Sequence, residues 1–104
     1  MKLSAVIPAY NEEQNLPLLH KRLTTVLERC AEDHEIVFVN DHSRDGTLRV
    51  LRELAAADPR VRYLSFSRNF GHEMAVAAGM DAAVGDAVIV MDADLQDPPE
   101  LIEQ

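Results

Sequence analysis

Two aspartates one residue apart, Asp92 and Asp94, follow an apolar run near the end of a 104-residue chain, in the stretch MDADLQDPPE at residues 91–100. Side chains two apart at a strand end lie on one side, so both carboxylates can reach a single cation. Mg²⁺ or Mn²⁺ takes such hard oxygen ligands, keeps part of its water and bridges substrate phosphates. Gln96 offers a further, neutral oxygen. The same residues also have a conformational reading, because aspartate often caps the turn or helix that follows it. The spacing alone is compatible with both.

Two more acids, Glu12 and Asp41, stand in polar loops that follow apolar runs. Gathered in one crevice with Asp92 and Asp94, they would repel one another and hold on to protons. A divalent cation resolves that conflict and lets an acidic protein bind a diphosphate. Glu12 and Asp41 could instead accept hydrogen bonds from a nucleobase or ribose hydroxyl, or simply cap their loops. Tyr10 has a face for stacking on a base, and equally one for covering the core edge. Arg68 can meet a phosphate or any of the 18 acids. His72 opens a helix and has no metal-ligand spacing to His34 or His42. Neither G-x-G-x-x-G nor G-x-x-x-x-G-K-[ST] occurs, which disfavours a Rossmann dinucleotide site and a P-loop.

Ten Lys and Arg against 18 Asp and Glu leave a net charge of −8, which excludes a nucleic-acid surface built on clustered cations. The single cysteine, Cys30, has no partner for an intramolecular disulfide and sits on an apolar helix face, so it reads as a buried structural thiol in a reducing, cytosolic setting. No apolar run approaches the roughly 20 residues of a membrane span, and the N-terminus lacks the pattern of a signal peptide. The expectation is a soluble piece, one domain or part of one.

The elements that must position these residues alternate regularly. Residues 3–7 (LSAVI) form a buried strand stopped by Pro8, and residues 9–14 a loop. Asn15 is expected to cap a helix whose apolar positions are Leu16, Leu19, Leu23, Val26, Leu27 and Cys30, with Pro17 in its first turn. A second buried strand at 35–39 (EIVFV) empties into a turn-rich loop at 40–47. The helix over 47–57 has an expected core stripe of Leu48, Leu51, Leu54 and Ala55, and Asp58-Pro59 stops it. Residues 61–66 (VRYLSF) alternate as an edge strand does. The loop at 67–71 (SRNFG) leads to a helix over 72–84 with a small face at Ala75, Ala78, Gly79 and Ala82. The apolar run at 87–91 (AVIVM) is expected as a central strand covered on both faces. Pro98-Pro99 introduces a last helix from residue 100.

Four strands alternating with helices predict an α/β fold, a Rossmann-like parallel sheet of order 3-2-1-4 with helices on both faces. The crevice above the carboxyl ends of strands 1 and 4 is then the ligand position. It gathers the loop of Pro8, Ala9, Tyr10 and Glu12, the loop of Asp92, Asp94 and Gln96, and Asp41.

So assembled, the sequence resembles the family 2 glycosyltransferases of the GT-A fold, and among them the polyprenyl-phosphate branch related to dolichol-phosphate mannose synthase. Four stretches carry the resemblance along nearly the whole chain: VIPAYNEEQNLP (6–17), VNDHSRDGT (39–47), SRNFGHEMAVAAGM (67–80) and MDADLQDPPE (91–100). It implies that Pro8, Ala9, Tyr10 and Glu12 contact the nucleoside, that Asp41 holds base or ribose, and that Asp92, Asp94 and Gln96 hold Mg²⁺ or Mn²⁺ and the diphosphate. Asp94 would be the residue nearest the chemistry, and no general base is identified. Many members have Asp-Asp-Gly-Ser where this chain has Asn40-Asp41-His42-Ser43, a departure that could alter the loop's turn or crowd the base.

The resemblance further implies inverting transfer from UDP-sugar or GDP-mannose to a polyprenyl phosphate lipid, on the cytoplasmic side of the membrane. Catalytic domains of the family are roughly twice as long, and many members continue into membrane helices or an amphipathic anchor. The chain is therefore expected to be an N-terminal nucleotide-sugar-binding portion, spanning 1–104, that lacks the acceptor half and turnover. Two other functions fit parts of the pattern. A nucleotidyltransferase would normally carry a glycine-rich basic loop where this chain has PAYNEE, and a nucleotide- or metal-binding module would bind without catalysis.

Overall fold

The computed structural model describes residues 2–91. The expected ligands Asp92, Asp94 and Gln96, and the helix expected from residue 100, lie outside the described residues. Within them the order is β1 (Lys2–Ala9), α1 (Leu16–Cys30), β2 (Asp33–Asn40), α2 (Thr47–Ala57), β3 (Val61–Ser65), α3 (His72–Ala82) and β4 (Ala87–Val90). The four strands form one parallel sheet of order β3-β2-β1-β4, as expected.

One face of the sheet carries the core. Leu3, Ala5, Ile7 and Ala9 of β1 and Ile36 and Phe38 of β2 pack with Leu16, Leu19, Leu23 and Leu27 of α1 and Val50 and Leu51 of α2. The apolar positions of α1 recur every three or four residues, so a single stripe faces the sheet. On the opposite face α3 lies against β1 and β2. It approaches closely because residue 79 is glycine: a Cβ there would overlap Val6 Cγ1 and come within 3.1 Å of Val39 Cγ2.

Several expectations are corrected. β1 does not stop at Pro8 but runs through it to Ala9. The backbone groups of Ala9 face β2 and those of Val6 face β4, so Pro8, two residues beyond Val6, turns its nitrogen towards β4. There β4 has already ended opposite Val6, and no ladder bond is lost. Asn15 occupies the cap position of α1 but makes no capping bond; its Nδ2 donates instead to Glu12 Oε2 at 2.8 Å. The buried stripe of α2 is Thr47, Val50 and Leu51, with Leu54 and Ala55 partly buried, so its phase differs from that expected through Leu48. Helix α3 ends at Ala82, where the Ala83 N–H closes on the carbonyls of Gly79 and Met80.

The largest correction concerns β4, expected to be covered on both faces. Ala87 and Ile89 pack against the core, whereas Val88 and Val90 are 38% and 42% exposed. The register pairs Val88 with Ser4 and Val90 with Val6, which places both valines on the α3 side of the sheet. Helix α3 returns over β1 and β2 and stops short of them. An all-apolar run cannot say which of its faces a helix will reach.

At the amino end of the sheet a buried glutamate ties the α3–β4 connection down. Glu35 accepts from Ser4 Oγ at 2.6 Å and the Val84 N–H at 2.7 Å through Oε2, and from Arg62 Nη1 at 2.8 Å through Oε1. Arg62 also donates to the Ala82 carbonyl at 3.0 Å, and Ser4 Oγ accepts the Gly85 N–H at 2.8 Å. Burial works against ionisation of Glu35, but these hydrogen bonds and the guanidinium outweigh it and hold the carboxyl below the usual range.

Candidate functional site

The carboxyl ends of β1 and β2 are adjacent, and three loops meet above them. The Asp41 N–H donates to the Ala9 carbonyl at 3.0 Å, so the last residue of β1 and the first residue after β2 are in direct contact. Pro8 and Ala9 are buried beneath this junction, Glu12 is half-buried, and Tyr10 is 44% exposed. Ala9, Tyr10, Glu12 and Asp41 are therefore gathered in one neighbourhood, as the topology requires.

Asp41 is buried, and its carboxylate holds the third loop. Oδ1 accepts the Phe70 N–H at 2.7 Å and Oδ2 the Gly71 N–H at 3.0 Å, while Asn69 Nδ2 donates to the Asp41 carbonyl. Each carboxylate oxygen accepts more than one bond, so this anchoring leaves acceptor capacity for a ligand. Gly71 has φ 94°, in the region that favours glycine, and this lets the chain turn from the Asp41 carboxylate straight into α3. Arg68 places its guanidinium 4.7 Å from the centroid of the Phe70 ring, which in turn meets Phe66 edge to face at 5.2 Å.

The loops after β1 and β2 are stitched together residue by residue. The Asn11 N–H donates to Ser43 Oγ at 3.0 Å, and Asn11 Oδ1 accepts the Arg44 N–H at 2.8 Å. The Glu12 N–H reaches Thr47 Oγ1 at 2.9 Å and the Glu13 N–H reaches Asp45 Oδ2 at 3.3 Å. Glu13 Oε1 accepts the Gly46 N–H at 3.0 Å and Oε2 accepts from Arg49 at 2.9 Å. Burial opposes ionisation of Asp45, but bonds from the Thr47 hydroxyl and N–H and the Glu13 N–H prevail and keep its carboxyl below the usual range. Asn11, Glu13 and Asp45 were absent from the residues singled out in the sequence. Asp45-Gly46-Thr47 did mark a turn, but nothing in the spacing pointed to a partner loop.

His42 adopts φ 53° and is exposed. This is a left-handed backbone, which favours glycine, and here histidine holds it. With histidine there the turn closes: the Ser43 N–H donates to Asn40 Oδ1 at 3.0 Å, and Asn40 Nδ2 donates to Ser65 Oγ at 3.1 Å.

The family described as glycosyl transferase family 2 matches residues 4–104. The chain belongs to that family. The bactoprenol glucosyl transferase of Shigella phage SfV is 50% identical over 102 residues, covering 98% of this chain and 33% of the phage protein. Among solved structures, S. aureus TarS 1–349 in complex with UDP has a TM-score of 0.71 at 24% identity, covering 90% of this chain and 28% of that one. The mannosyltransferase PcManGT from Pyrobaculum calidifontis, in complex with GDP-Man and Mn²⁺, has a TM-score of 0.70 at 23% identity, covering 92% and 32%. These likenesses show the fold, the GT-A arrangement expected from the sheet order. The chain spans about a third of the length of the curated relatives it matches.

Among the described residues no group of three His, Cys, Asp or Glu side chains could hold a metal ion, and no helix is long and apolar enough to cross a membrane. The donor set assigned from sequence, two carboxylates and an amide oxygen at Asp92, Asp94 and Gln96, has the hard-oxygen chemistry that Mg²⁺ and Mn²⁺ take. β4 leads directly towards it, with the Met91 N–H bonded to the Val6 carbonyl at 3.1 Å, two residues before Pro8.

Proposed function

We propose that this chain is the nucleotide-sugar-binding portion of a glycosyltransferase that moves a sugar from a UDP-sugar or GDP-mannose to a polyprenyl phosphate at a membrane surface. The observation that carries the reading is the junction of β1 and β2, where Ala9 and Asp41 touch and the loop of Tyr10 and Glu12 is fixed beside them. The 50% identical relative named for bactoprenol glucosyl transfer supports the lipid acceptor, and the neighbours solved with UDP and with GDP-Man support the donor.

In this reading the ring of Tyr10 stacks on the base, the free acceptor capacity of Asp41 meets base or ribose, and Pro8, Ala9 and Glu12 line the nucleoside. Asp92, Asp94 and Gln96 hold Mg²⁺ or Mn²⁺, which when bound neutralises charge on the departing diphosphate. A phosphate oxygen of the acceptor forms the new bond to the anomeric carbon from the face opposite the leaving group. The bond from that carbon to the diphosphate oxygen breaks, and the nucleoside diphosphate departs with inversion. The acceptor is already anionic at neutral pH, so no base need remove a proton from it. The acceptor side and any membrane attachment belong to parts of a longer protein, and the chain alone binds donor without turnover.

Calorimetric titration of UDP and of GDP, with and without Mn²⁺, tests the assignment on this chain and on Asp92→Ala and Asp94→Ala. Nucleotide binding that strengthens with Mn²⁺ and loses that gain in both variants is expected. Binding indifferent to Mn²⁺ and to both substitutions overturns the metal ligands. No binding of either nucleotide overturns the function.

A further inference from the structure

We propose that Glu13 is a positioning residue for the nucleotide site, a side chain that touches no ligand but sets the loop bearing Tyr10 and Glu12 against the loop that begins at Asp41. The inference rests on the nucleotide-binding reading above. Its basis is that Glu13 engages the second loop and the first turn of α2 through its N–H and both carboxylate oxygens. Its N–H donates to Asp45 Oδ2, its Oε1 accepts the N–H of Gly46, and its Oε2 accepts from Arg49 one turn into α2.

Gly46 is the cap residue of α2 and makes no side-chain capping bond of its own. The carboxylate of Glu13 supplies an acceptor there from another loop, at a helix end that favours negative charge. Glycine is what admits it, since a Cβ on residue 46 would lie 2.7 Å from Glu13 Cδ. Glu13 is thus a clasp between the β1–α1 and β2–α2 loops, three residues from Tyr10 on one loop and meeting the other at Gly46, five residues from Asp41. Without its carboxylate the loops keep the bonds of Asn11, of the Glu12 N–H and of the Glu13 N–H, but the pairing loosens where it meets the start of α2, and a nucleotide bridging the loops must restore that order on binding.

The test compares Glu13→Gln with Glu13→Ala. Glutamine keeps an oxygen acceptor for the Gly46 N–H and gives up the charge towards Arg49, whereas alanine removes both side-chain bonds and keeps only that of the N–H to Asp45. UDP and GDP titrations are read beside thermal melting and amide exchange of residues 10–15 and 41–46 without ligand. The expected result is a roughly tenfold loss of nucleotide affinity in Glu13→Ala, with faster exchange in both loops, and near wild-type affinity in Glu13→Gln. If wild type binds nucleotide and Glu13→Ala binds equally well, or if glutamine fails as badly as alanine, the proposal is overturned while the function stands. If wild type binds neither nucleotide, the functional reading fails and takes the proposal with it.

Discussion

At the scale of single residues, the backbone of His42 makes a claim that can be measured. A left-handed conformation costs an L-residue roughly 1–2 kcal/mol, least for His, Asn and Asp and most for β-branched side chains. Asn11, across the stitched loops, adopts φ 55° and tolerates it for the same reason. Replacing His42 by glycine relieves strain but adds freedom to the unfolded chain, and the two effects nearly cancel. Replacing it by valine adds strain with no compensation, because the side chain is exposed and leaves no cavity behind. Equilibrium denaturation should therefore separate the two variants by at least about 1 kcal/mol, with glycine close to wild type. Equal stabilities for glycine and valine would mean that the loop does not hold this φ. The placement of Tyr10, Glu12 and Asp41 was legible in the sequence because each follows an apolar run that ends in a strand. That Asp41 binds the Phe70 and Gly71 N–H groups some thirty residues away was not legible, because a carboxylate's partner at that distance is set by folding rather than by spacing.

At the scale of elements, the alternation of apolar runs with helical stripes was enough to give every strand and helix among the described residues and their order in the sheet. What it could not give is where each helix lands. The small face expected on α3 is the one turned to the sheet, with Ala75 and Gly79 buried and Gly79 fitted against Val6 and Val39, but nothing in it says how far over the sheet the helix reaches. The landing is fixed at the far end by Glu35, which in sequence is merely the first residue of an apolar strand. Replacing Glu35 by alanine would orphan the Val84 N–H and leave Arg62 and Ser4 without their shared acceptor. The expected cost is about 3 kcal/mol, while Glu35→Gln, which keeps an acceptor, costs less. Thermal melting orders the variants, and amide exchange at residues 83–86 should rise in the alanine variant before the rest of the sheet opens. Uniform exchange across the chain would show that Glu35 does not hold the connection in particular.

At the scale of the whole molecule, a net charge of −8 suggests that mild acid should help by reducing repulsion, yet the buried groups argue the reverse. His34 is almost wholly buried, its Nε2 has no hydrogen-bond partner, and burial, with Arg60 nearby, lowers its pKa from 6.5. The unfolded chain therefore takes up this proton first, so the stability His34 permits is complete above its unfolded pKa and is lost as pH falls towards the folded one. Glu35, Asp45 and Asp58 act in the same direction at lower pH. Burial opposes ionisation of each, but hydrogen bonds outweigh it, including that from His20 at 2.9 Å for Asp58, and each carboxyl lies below its usual range. Their contributions are present above ordinary carboxylate pKa values and disappear as pH falls through the folded ones. Local desolvation outweighs distant repulsion because salt screens exposed charges over about 8–10 Å and leaves buried groups little affected. Urea midpoints should thus fall in two stages, the first as pH falls below the ordinary histidine value from His34 and the second as it falls below the ordinary carboxylate range. His34→Leu, similar in volume and unable to take a proton, should flatten the first stage and leave the second. A wild-type midpoint that rises as pH falls below the ordinary histidine value would show that relief of the acidic surface wins instead.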